Sequence, residues 1–87
     1  MTTEKSDIDA WFEKGIVSGN RWMIVVCDTY DYEDYPVFIG EQVDFWKSYE
    51  KYNGKGMQKI MEVYDLTLDK YTQLDQRRAW NTPGNNS

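Results

Sequence analysis

Six consecutive apolar residues, Trp22 to Cys27, stand in a chain whose other apolar residues are mostly spaced out. A run of that length, rich in β-branched Ile24, Val25 and Val26, predicts a central strand over 21–30 that is buried on both faces. Upstream, Ile8, Trp11, Phe12 and Ile16 recur at helical spacing and form one apolar stripe. Ser6 and Asp9 have the separation of a capping box, so the helix is expected to start at Ser6 and to end at Gly19-Asn20. Gly15 inside it weakens the helix by about 1 kcal/mol relative to alanine. Downstream of the strand, Val37 to Ile39 is a second short apolar run just after Pro36. Proline cannot donate a ladder hydrogen bond, so this strand should lie at a sheet edge or begin after Pro36. Too few residues separate the two strands for a helical crossover, which makes them an antiparallel hairpin.

The remaining pattern supplies two helices and a strand. Val43, Trp46 and Tyr49 form a row over 41–52, widened by Phe45 and Tyr52 and closed by Asn53-Gly54. Residues 58–66 read as a strand with Met61 and Val63 on one face and Ile60, Glu62, Tyr64 and Leu66 on the other. Thr67 is positioned to cap a last helix over 68–80, carrying Leu68, Tyr71 and Leu74. The expected architecture is a single α+β domain over 6–80, in the order α-β-β-α-β-α, between flexible tails at 1–5 and 81–87. Its sheet is three-stranded and mainly antiparallel, with the helices packed on one face. Trp22, Ile24 and Val26 then point one way, and Met23, Val25 and Cys27 the other. If the first two helices share a face, only the short last helix remains for the second. A homodimer through the uncovered sheet face or the Trp80 end is therefore expected.

Charge changes the picture in the middle third. The net charge is −5, yet residues 28–50 hold one basic and seven acidic side chains, a local −6. Direct binding to nucleic acid is disfavoured, since phosphates need a basic stripe. A basic protein, or the nucleic-acid-binding surface of one, is the matching partner. With no histidine and a single cysteine, Cys27, inside an apolar run, histidine triads, common transition-metal sites and internal disulfides are absent. Cys27 reads as a buried, inert thiol of a reducing compartment. No apolar run approaches the roughly 20 residues of a membrane-spanning helix. A polar, acidic start carries no secretory signal, so a cytoplasmic protein with no membrane association is expected.

Between the hairpin strands lie Asp28, Tyr30, Asp31, Tyr32, Glu33, Asp34 and Tyr35. Acidic acceptors alternate with amphipathic rings, a mixture enriched at recognition surfaces, and these seven residues are the candidate partner-binding set. The plainer alternative is a solvated loop whose tyrosines cover the end of the domain. The acids could offer oxygens to calcium, but the glycine and terminal glutamate of a calcium loop are missing. Asp28 and Glu33 could serve as paired carboxylates, yet nothing else in the chain resembles a catalytic motif. No enzyme activity, metal or other cofactor is expected.

Two strings, MIVVCDTYDYEDYPV from Met23 to Val37 and MQKIMEVYDL from Met57 to Leu66, resemble those of a family of small uncharacterised bacterial and phage-encoded proteins. The resemblance spans most of 11–80 and brings no catalytic role. It implies that the acidic hairpin belongs with the Tyr64-Asp65 strand end. It also implies an accessory role, such as inhibiting or modulating a host protein in the host cytoplasm as part of anti-defence or takeover. The alternative expectation is a small-ligand binder that sequesters a nucleotide-derived signal. Arg21, Lys55, Lys59, Arg77 and Arg78 would then contact its phosphates.

Overall fold

The computed structural model describes residues 4–54, 56–76 and 79–83. Its elements follow the expected order: α1 Lys5–Val17, β1 Asn20–Asp28, β2 Glu33–Gly40, α2 Phe45–Tyr52, β3 Gln58–Asp65 and α3 Lys70–Leu74. The three strands form one antiparallel sheet in the order β2-β1-β3, so the apolar run is central. The protein is thus an α+β fold. Among the described residues no helix is long and apolar enough to cross a membrane.

The helices sit on opposite faces of the sheet, which corrects the one-sided layer expected from the pattern. On one face, Met23 stands between Phe38 and Tyr64 in the ladder. Met23 and Val25 pack there with Ile8 and Phe12 of α1 and with Tyr64, Leu66, Leu74 and Ala79. On the other face, Ile24 stands between Val37 and Val63. Ile24 and Val26 join Ile39, Ile60, Val63 and Phe45 of α2 in a second core. Strand alternation gives β1 two apolar faces; α1 with Leu74 of α3 covers one and α2 the other. The premise of the expected homodimer is removed, because the chain buries both faces by itself.

Gly15 has its explanation in this packing. A Cβ at that position would lie 2.7 Å from Leu66 Cδ1 and 2.9 Å from the Phe38 ring. Helix propensity is given up so that α1 can approach the sheet closely. Next to it, Phe12 meets Tyr64 edge-on with ring centroids 6.2 Å apart.

Several boundaries differ from the pattern for local reasons. α1 begins at Lys5, and the carboxylate of Asp7 accepts the Glu4 backbone N–H at 3.0 Å, so the cap lies two residues before Ser6. α2 begins at Phe45 because Asp44 takes the N-cap and accepts the Trp46 and Lys47 amides. Its inward row is therefore buried Phe45 with half-buried Tyr49 and Tyr52, while Val43 and Trp46 remain exposed. In β3 the register slips between Val25 and Val26 of its neighbour, which leaves Met61 as a bulge. The extra residue returns Ile60 and Val63 to the same face, against the simple alternation expected for 58–66.

The C-terminal part departs most. Asp69, not Thr67, caps α3, accepting the Thr72 amide at 2.8 Å and its hydroxyl at 2.6 Å, and the helix lasts only to Leu74. These two bonds hold the Asp69 carboxyl below its ordinary pKa. Beyond it the chain is extended: Val63 N–H donates to Ala79 at 2.9 Å and Asn81 N–H to Val63 at 3.0 Å. Residues 79–81 thereby cover the outer edge of β3 beside Trp80. Asn81, Thr82 and Pro83 belong to the packed domain, and Thr82 is buried. Lys70 closes α3 onto α1 through Asp9 at 2.7 Å and Glu13 at 2.5 Å.

Candidate partner-binding surface

β1 and β2 are joined by only four residues, 29–32, after Asp28 and Glu33 pair directly in the ladder. The local sequence explains the tight turn. Asp28 Oδ1 accepts the backbone N–H of Tyr30 at 2.8 Å and of Asp31 at 3.4 Å, an arrangement that short acidic side chains favour. Tyr32 N–H then donates to the Asp28 carbonyl at 2.6 Å. This closure forces Tyr32 to a φ of 57°, a left-handed conformation that costs a non-glycine residue about 1–2 kcal/mol.

The turn leading into β3 meets the same end of the sheet. Thr29 N–H donates to the Met57 carbonyl at 2.7 Å, and Met57 has a φ of 60°. The two non-glycine residues with positive φ among the described residues therefore lie in turns at the same end of the sheet, on either side of β1. Both present large side chains to solvent: Tyr32 is 71% exposed and Met57 57%, and Tyr30, in the same turn as Tyr32, is 74% exposed. Asp31 and Glu33 are also exposed. Glycine or asparagine would fit the Tyr32 backbone better, so the ring is held outward at a cost in stability.

The seven expected residues thus separate by environment. Tyr30, Asp31, Tyr32 and Glu33 form the exposed tip. Asp28 is spent on shaping the turn. Tyr35 packs in the α2-side core and donates its hydroxyl to Gln58 Oε1 at 2.6 Å, and burial pushes its pKa up. Asp34 is half-buried on the flank, opposite Cys27 in the ladder, with Lys59 on the far side of the same cysteine. Burial, then Asp34, pushes the Cys27 thiol up, with Lys59 opposing, so it stays protonated and is a poor nucleophile. Met57, exposed at the same end of the sheet, was not among the expected residues. It lies just before the strand expected over 58–66, in the turn that Gly54 and Gly56, both at positive φ, help to build.

Of the expected phosphate contacts, the two among the described residues, Arg21 and Lys59, do not converge. Arg21 Nε lies 3.4 Å from the buried Asp65 carboxylate, and its guanidinium stacks 4.6 Å from the Trp22 ring centroid. Lys59 pairs with Cys27 near the other end of β1, roughly 20 Å away at about 3.3 Å per strand residue. Lys55, Arg77 and Arg78 lie outside the described residues. Among the described residues no three acidic or cysteine side chains gather in a metal-binding group. Comparison with protein-family models, curated proteins and solved structures found no match, so the tip is read from its own chemistry.

Proposed function

We propose that the chain is a protein-interaction module that binds a basic protein surface through the tip of the β1–β2 hairpin. The observation that carries this reading is the exposure of Tyr30 and Tyr32 beside Asp31 and Glu33 in one turn, with exposed Met57 at the same end of the sheet, Tyr32 and Met57 both standing at positive φ. Isolated exposed apolar residues are ordinary, but aromatic and methionine side chains grouped with like charges have the composition of a recognition patch. The surrounding −6 segment would steer a cationic partner and raise its encounter rate. In this reading the chain is an accessory protein that inhibits or modulates its partner, the setting implied by the resemblance. A nucleotide-derived ligand is less well served, because Arg21 is committed to Asp65 and Trp22 and Lys59 lies far along the sheet.

Affinity capture with the wild type and with the Y30S/D31N/Y32S/E33Q variant, matched for thermal stability, tests the proposal. A basic protein should be retained by the wild type, released progressively as salt is raised, and missed by the variant. Equal retention by both proteins would remove the tip from the interaction.

A further inference from the structure

Resting on that reading, we infer that the tip selects arginine over lysine, so that its partner presents an arginine-bearing segment. Two exposed tyrosine rings flank Asp31 within a four-residue turn, and Glu33 follows Tyr32 directly. A bound cation can therefore meet a ring face and a carboxylate at once. Guanidinium is suited to both contacts: it is planar, weakly hydrated, stacks on aromatic faces and bonds a carboxylate through two parallel N–H groups. An ammonium is a compact, strongly hydrated point charge, and an open, solvated tip compensates little of its desolvation. Charge alone would not separate the two, since both carry +1. The rings supply the discrimination, since their faces also accept the aliphatic stem of an arginine.

The test uses two blocked peptides of equal charge, one alternating arginine and serine, the other lysine and serine. Their binding to the full chain is followed by fluorescence anisotropy at low salt. The arginine peptide should bind about fivefold more tightly, the ratio expected from roughly 1 kcal/mol of added ring contact. In Y30L/Y32L the preference should vanish while the lysine peptide binds as before. In D31N/E33Q both peptides should weaken together. Equal wild-type affinities that still fall in D31N/E33Q would overturn the arginine selectivity and leave the acidic interaction surface standing. Failure of both peptides to bind the wild type would overturn the selectivity and the proposed function together.

Discussion

Phe45→Ala is expected to lower the stability of the protein by about 3–5 kcal/mol, the usual cost of deleting a buried aromatic ring. Phe45 is 3% exposed and is the hub of the α2 layer. Its ring centroid lies 5.4 Å from Trp22, 5.0 Å from Trp46 and 6.0 Å from Tyr49. Because α2 spans only Phe45–Tyr52, no second fully buried side chain of this helix can hold it on Ile24, Val26, Ile39, Ile60 and Val63. A domain of this size has a total stability of only about 4–13 kcal/mol. The variant should therefore be substantially unfolded at moderate urea. By contrast, Trp46→Ala should cost about 1 kcal/mol or a little more, since Trp46 is 48% exposed and contributes mainly edge contacts to Phe45 and Tyr49. Urea titration of both variants gives the comparison. A larger loss for Trp46→Ala would mean that α2 presents the 43/46/49 row to the sheet.

Gln73→Ala should cost about 2–4 kcal/mol, for a polar reason instead of a packing one. The Gln73 side chain is 2% exposed, and both of its ends are occupied. Oε1 accepts the Asp65 N–H at 2.8 Å and Asn81 Nδ2 at 2.9 Å. Nε2 donates to the carbonyls of Asp65 at 2.9 Å, Asp69 at 3.2 Å and Leu68 at 3.4 Å. The neighbouring Asp65 carboxylate takes the Thr67 amide at 2.9 Å, the Thr67 hydroxyl at 2.6 Å and Arg21 Nε at 3.4 Å. This network fixes the end of β3, the short α3 and the returning chain at Asn81 to one another. Truncation leaves buried donors and acceptors without partners. Gln73→Glu should be at least as damaging, because it loses the donor and places a second carboxylate near buried Asp65. Thermal melts of the two variants decide it. Tolerance of either substitution would show that Leu74 and Ala79 packing and the backbone bonds of Val63 hold the C-terminal segment without the Gln73 network.

The order of elements and the central strand followed from apolar periodicity, since a run from Trp22 to Cys27 fits one place in a small antiparallel sheet. What periodicity missed is instructive in physical terms. Spacing shows that α1 and α2 each have an apolar face, but both helices are short and only tertiary packing decides which sheet face each covers. The Met61 bulge reverses the alternation of β3 after Ile60, and no residue type announces it. Asp44 and Asp69 override the apparent starts of α2 and α3 because a carboxylate accepting the first free amides is a better terminus than the preceding residues. Trp80 looked helical by spacing, yet it sits in extended chain because residues 79–81 satisfy the exposed edge of β3. In the tip, the alternation of acids and tyrosines was visible, and its division of labour was not. Asp28 and Tyr35 are held by hydrogen bonds within the fold, whereas the side chains of Tyr30, Asp31, Tyr32 and Glu33 are exposed to solvent. Met57 reaches the same end of the sheet through the Thr29–Met57 bond, which links residues far apart in the chain.

Amide hydrogen exchange of the chain, alone and saturated with the basic protein it captures, tests the tip most directly. Binding through the hairpin predicts added protection concentrated at 29–33 and at Met57, with exchange in α1 and α2 unchanged. Protection confined to α2 around Trp46, with the 29–33 amides exchanging as in the free protein, would contradict the assignment of the hairpin tip as the binding surface.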